Sequence, residues 1–173
     1  MPTRLEWAEA YARQARSDWD LFCRIDALPD VPFCHRLHYL QMACEKIAKA
    51  YRARDTDISV EDVATHHVGF EKFMKAFFLS PQIKHGFAGR DELRQGVART
   101  VRRIAAQVEK LAPAVDREAT PDNAEYPWED GGRIVVPCEH GFPNLALLRE
   151  SGGRAFLKIV GQAMEQFENV RIH

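Results

Sequence analysis

The chain has 173 residues, which favours one well-buried core over two small and poorly buried ones, so a single domain spanning 1–173 is expected. Apolar residues make up 46% and charged residues 28%, which excludes the sparse hydrophobicity and high charge of a disordered chain. The formal net charge of −1 excludes a uniformly basic protein, so any nucleic-acid interface must be local.

The opening stretch MPTRLEWAEAYARQARSDWD scatters its charges and has no apolar segment of signal-peptide type. No later run approaches the roughly eighteen apolar residues of a membrane span. No membrane association and a cytoplasmic location are therefore expected. Cys23, Cys34, Cys44 and Cys138 lie in no CxxC spacing and read as reduced thiols of a cytosolic protein.

Thr3 and Glu6 form a Thr-x-x-Glu capping box, and Ala8, Ala12, Ala15, Trp19 and Phe22 follow at helical spacing, so a first helix is expected as far as Leu28, before Pro29 and Pro32. From Phe33 a cleaner stripe runs through Leu37, Leu40, Cys44, Ile47 and Tyr51. On another face of this second helix His38, Gln41, Glu45, Lys49 and Arg52 form a polar row. It reads first as a solvated face steadied by the Glu45–Lys49 i,i+4 pair, and otherwise as the lining of a groove between helices.

Ser59 and Asp62 signal a third helix carrying Val60, Val63, His67, Phe70, Met74 and Phe77 on one stripe and ending before Pro81. After the connector PQIKHGFAGR, Asp91 is the expected cap of a fourth helix with Leu93, Val97, Val101, Ile104, Val108 and Leu111 inward. The periodicity fails between Pro113 and Pro143, where five of the nine prolines sit with the turn Asp130-Gly131-Gly132 and a β-like run from Arg133 to Val136. An ordered, irregular insertion over 113–143, packed through Tyr126, Trp128 and Phe142, is expected. Asn144 then caps a last helical region, bent near Gly152-Gly153, that returns Phe156, Val160, Met164 and Phe167 to the core.

Four to five helices joined mostly by short connections predict an all-α, up-and-down antiparallel bundle, with a Pro-rich insertion that has room for a short β-hairpin.

The second helix, HYLQMACEKIAKAY from His38 to Tyr51, resembles the central helix of HEPN proteins, in which Gln, small residues and Glu-Lys precede a Lys-containing apolar run. A helix like the family's first one precedes it, and Thr65-His66-His67 follows where many members carry a Ser/Thr-His pair. The resemblance covers residues 5–79, and Glu125-Tyr126-Pro127-Trp128 resembles an aromatic-proline element that follows the bundle in some members. It implies a helical bundle, commonly a homodimer, whose role ranges from metal-independent ribonuclease to a non-catalytic module for RNA, a nucleotide or a protein partner, including one encoded nearby. It also makes His66 a ligand-binding position.

Catalytic members carry Arg, four to six intervening residues and then His, so that two subunits assemble one cleft. Here the matching pair is Arg133 and His140, set in the Pro-rich insertion rather than on a helix. Imidazole can move a proton near neutral pH, and guanidinium can hold a phosphate. A chance match within a turn-rich surface loop is the competing reading. His67 on the apolar stripe reads as a hydrogen-bonded core residue. His35 and His38, with Cys34 beside them, have the spacing to share a metal but no evident further ligands, so no metal or cofactor is expected.

From Lys84 to Lys110 seven basic residues face Asp91, Glu92 and Glu109, a local charge of +4. Arg94, Arg99, Arg102 and Arg103 are expected on the side of the fourth helix away from Leu93, Val97, Val101 and Ile104, either as an ordinary solvated face or as a surface for phosphates. No GxxxxGK or GxGxxG loop occurs. Three functions remain open from the sequence: a non-catalytic or weakly catalytic HEPN-like module using Gln41, Glu45, Lys49, His66 and these arginines; a HEPN-like dimeric ribonuclease using Arg133 and His140; and a scaffold bundle with no nucleic-acid role.

Overall fold

A computed structural model describes residues 2–65, 67, 69–112, 118 and 122–172. It is a mainly α-helical bundle with one small antiparallel sheet. The order is α1 (Arg4–Asp26), α2 (Phe33–Asp55), α3 (Val60–Thr65), α4 (Phe70–Phe78), α5 (Pro81–His85), α6 (Asp91–Glu109), β1 (Trp128–Asp130), β2 (Arg133–Val135) and α7 (Ser151–Glu165).

α1 starts where the capping box places it: the Thr3 hydroxyl accepts from the Glu6 amide at 3.2 Å, and the Glu6 carboxylate takes the Thr3 amide at 2.6 Å. Its buried face is mostly alanine, Ala8, Ala12 and Ala15, which lets α2 approach closely. Contacts between the two helices run in opposite order: Arg4 with Thr56, Tyr11 with Lys49, Asp18 with Lys46, Asp26 with Arg36. They therefore form an antiparallel hairpin. α2 is central, with Leu37, Leu40, Ala43, Cys44, Ile47, Ala50 and Tyr51 all buried, and α4, α6 and α7 close around it.

The expected third helix is two. Helical structure stops at Thr65 and resumes at Phe70, because Gly69 takes φ +142°, a conformation open to glycine and costly for other residues. The free amides at the start of α4 are met from another helix: the Glu109 carboxylate of α6 accepts from Gly69 and Glu71, both at 2.9 Å. His67 consequently leaves the apolar stripe and sits in the break, its side chain 40% exposed. The connector after Ser80 contains one more short helix, α5, with Pro81 at its first position.

In α6 the flanking cap is Arg90, and Asp91 is the first helical residue. Leu93 is half exposed, contrary to the stripe drawn from its spacing, whereas Val101, Ile104, Ala105 and Val108 are buried. Within the insertion the hairpin forms as expected, with Asp130 opposite Arg133 and both turn glycines at positive φ, +56° and +78°. Phe142 is fully buried and Trp128 partly so, but Tyr126 is 67% exposed and does not join the packing. Asn144 does not cap a helix: residues Pro143–Arg149 form a 3-10 segment, and α7 begins at Ser151 with Gly152 and Gly153 in its first turn rather than at a later bend. Phe156, Val160, Met164 and Phe167 do return to the core.

Candidate functional site

Three groups of side chains carry the chemistry proposed from sequence. The first is the polar row of α2. Gln41 and Lys49 are only 3% and 5% exposed and the Glu45 side chain 15%, so the middle of the row lies between helices and is not a solvated face, while His38 and Arg52 at its ends are partly exposed. Glu45 stands at its centre: one oxygen accepts from Gln41 Nε2 at 2.8 Å, and the other lies 3.1 Å from Lys49 Nζ and 2.8 Å from His67 Nδ1. Lys49 also donates to the Ala64 carbonyl at 2.9 Å and sits 5.8 Å from the centre of the Tyr11 ring. Burial, and then the nearby Glu45 charge, hold the Tyr11 phenol above its ordinary range.

This arrangement joins α2 to the α3–α4 break. A depression lined by Glu45, Lys49, Arg52, His67, Gly69 and Phe70 adjoins it, but its volume of about 10 Å³ is that of a single water. Gln41, Glu45, Lys49 and His67 are all partnered, so this part of the row works as an internal brace. The His67 contact was not foreseeable from an unbroken third helix. His66 lies outside the described residues.

The second group is Arg133 and His140. Arg133 opens β2 on the exposed hairpin. The His140 ring packs edge-on against Trp128 and Phe142, at centroid separations of 5.1 and 4.8 Å, and its Nε2 is buried without a hydrogen-bond partner among the described residues. Among the described residues no hydrogen bond or ion pair joins the two. Phe142 itself has φ +47° while fully buried, a strained conformation held by Phe33, Trp128 and His140 around it. The aromatic cluster therefore fixes the stretch from Trp128 to Phe142 to the start of α2.

His38 in that region stands 3.1 Å from Glu125, and Cys34 is buried, which pushes its thiol up with a smaller contribution from nearby Cys138. Burial raises the Cys44 thiol well above its ordinary value. All four cysteines are free. Among the described residues no three His, Cys, Asp or Glu side chains stand together as metal ligands, and no helix is long and apolar enough to cross a membrane.

The third group is on α6. Arg94 is turned toward the packed side, 25% exposed and bound to Asp91 at 3.2 Å, so it leaves the basic face drawn from sequence. Arg99, Arg102 and Arg103 remain exposed. Arg102 reaches Glu71 of α4 at 3.4 Å. Arg99 and Arg103 are one helical turn apart, and the residues three and four positions from either, Gln95, Gly96, Thr100, Arg102, Ala106 and Gln107, include no acid.

Comparison with protein-family models, curated proteins and solved structures finds no match for the chain.

Proposed function

We propose that this chain is a HEPN-like, non-catalytic module that binds RNA through the outer face of α6. The observation that carries the reading is the exposed Arg99–Arg103 pair. Like charges one turn apart destabilise a helix by about 0.2–0.5 kcal/mol, and no acid stands three or four positions from either on α6 to offset that cost. A phosphate backbone would neutralise both charges and release its own counterions. Arg102 adds a third cation at the edge of the same face.

Catalysis by Arg133 and His140 draws no comparable support, since no hydrogen bond or ion pair among the described residues joins them and Nε2 of His140 is enclosed. Gln41, Glu45 and Lys49 serve stability in this reading, and Arg94 belongs with Asp91. The cytoplasmic location and the homodimer implied by the family resemblance are part of the same proposal.

Fluorescence anisotropy with single-stranded and structured RNAs, across a salt series in EDTA, tests it. Binding should weaken as salt rises, and Arg99→Gln with Arg103→Gln should lower the salt slope by about 0.7 for each phosphate left unneutralised on a single strand. The RNA should remain intact on a denaturing gel. Absence of binding even at low salt would remove RNA as the ligand and leave a partner-docking bundle; cleavage abolished by His140→Ala would restore the nuclease.

A further inference from the structure

Where the start of α1, the end of α2 and the C-terminal tail meet, the surface opens into a cleft of about 440 Å³ lined by Arg4, Leu5, Ala53, Arg54, Asp55 and Arg171. Three guanidinium groups face one carboxylate, so the lining carries a charge of +2. The Asp55 side chain is only 2% exposed and has no accepting capacity to spare. Its Oδ1 takes Arg54 Nε and, at 3.2 Å, Arg171 Nη1; its Oδ2 takes Arg54 Nη2 at 2.6 Å and the Ile172 amide at 2.9 Å.

Arg54 is held rigidly. Its guanidinium lies 4.7 Å from the centre of the Tyr51 ring and 4.4 Å from that of Phe167, it donates to the Val170 carbonyl, and its side chain is only 4% exposed. Its Nη1 is buried with no hydrogen-bond partner among the described residues. Arg4 and Arg171, with side chains 43% and 53% exposed, keep donors free toward solvent, although Arg4 also reaches the Thr56 carbonyl and approaches Asp57 at 3.5 Å. Asp57 is fully exposed and screened by water. The C-terminal end of α2 would disfavour an anion, but Arg52 and Arg54 in its last turn oppose that dipole.

We propose that this cleft binds a small phosphomonoester, with its phosphate between Arg4 and Arg171 in the field of Arg54 and its organic part against Leu5 and Ala53. The planar fork of arginine matches phosphate oxygens, and a concave basic site focuses its field on an anion. The volume suits a small organic ligand and exceeds what a bare phosphate would fill. The site shares no residue with α6 and stands independently of the RNA reading. A phosphomonoester could arrive as a free small molecule or as the 5′ end of an RNA, and the two sources can be separated.

The test is calorimetric titration of the full chain, in a phosphate-free buffer of low ionic strength, with adenosine monophosphate and with adenosine. The monophosphate should bind saturably at one site and adenosine at least tenfold more weakly. Arg4→Gln and Arg171→Gln, both at exposed side chains and checked for intact helicity, should each weaken the monophosphate at least fivefold. Arg99→Gln with Arg103→Gln should leave it unchanged. A monophosphate that binds no better than adenosine, or equally well to the Arg4→Gln/Arg171→Gln double variant, would overturn the proposal. With binding established, preference for a 5′-phosphorylated over a 5′-hydroxyl oligoribonucleotide, abolished in the same double variant, would assign the site to an RNA end; no preference would assign it to a free small molecule.

Discussion

The hydroxyl of Tyr51 donates to the carbonyl of Ala163 at 3.1 Å, tying the last turns of α2 and α7 together. The same ring packs against Phe73, Phe77 and Phe167, with centroids 4.9 to 5.8 Å away, so one side chain links three elements through its apolar body and its polar tip.

Tyr51→Phe keeps the body and removes the tip. The loss should be about 1–2 kcal/mol, the value of a hydrogen bond whose buried acceptor is left alone, read as a fall in the urea midpoint with an unchanged m-value. Burial raises the Tyr51 phenol in the fold, with the Arg54 charge pulling the other way. A raised pKa gives stability that is complete below the unfolded value, near 10, and is lost as pH climbs toward the folded one. Thermal melts should therefore show Tm falling above about pH 10, and falling less steeply in Tyr51→Phe; Tyr11, also raised, supplies a remaining part.

Asp55 behaves in the opposite sense. Burial alone would raise its carboxyl, but hydrogen bonds from Arg54 and from the Ile172 amide outweigh burial and hold it below the ordinary value. Its stabilisation is present above the unfolded pKa of about 3.9 and is lost as pH falls through the folded one. Asp55→Asn should cost about 3 kcal/mol at neutral pH, because it strands the buried Arg54, and should flatten the acid limb of a Tm-against-pH curve. An acid limb as steep as in the unmutated protein would show that other carboxylates govern it.

The helices themselves were legible because apolar spacing and the Thr3–Glu6 cap are local signals, and α1, α2 and the hairpin turn at Gly131-Gly132 stand where those signals put them. What spacing could not give is contact across the bundle. A His67 at helical spacing from Val63 and Phe70 reads as one stripe until Gly69 breaks the chain and Glu109, forty residues on, caps the new start. Gln41 and Lys49 look solvated on a helical wheel because no local feature announces their burial, which for Lys49 comes with a bond to the Ala64 carbonyl at the end of α3. Leu93 and Arg94 exchanged their expected places near the start of α6, where a stripe extrapolated from mid-helix is least constrained.

The approach of α6 to α7 rests on Gly152. A Cβ there would lie 2.5 Å from Cγ2 of Thr100, a clash with a single methyl group. Gly152→Ala should cost about 1–3 kcal/mol, and Thr100→Ser, which removes that methyl, should recover at least about 1 kcal/mol of it in a double-mutant cycle. Gly153→Ala should not be rescued in this way, since its Cβ would meet the Leu148 carbonyl oxygen at 2.1 Å and that obstacle is backbone. Chemical denaturation of the four proteins in the cycle, with Gly153→Ala as the comparison, reads both outcomes.

The brace of α2 makes a further separable statement. Glu45→Ala leaves Lys49, 5% exposed, with a buried charge and no carboxylate, and should cost about 3–5 kcal/mol. Glu45→Gln combined with Lys49→Met removes both charges at nearly constant volume and should cost much less than Glu45→Ala alone. If the double variant is instead the less stable protein by urea titration, the ion pair contributes net stability beyond mutual neutralisation.

Arg103→Glu sets stability and binding against each other. In the folded helix the new carboxylate would stand four residues after Arg99, turning a repulsive pair into an attractive one, a gain of about 0.5–1 kcal/mol that salt would screen. A surface kept basic for phosphates would lose affinity by the same change, and its binding would become less salt-dependent. The expected result is a protein that melts higher at low salt and holds RNA more weakly. A variant that is more stable and binds RNA as well as before would show that the Arg99–Arg103 face is an ordinary solvated surface, and the polyanion reading of α6 would fall with it.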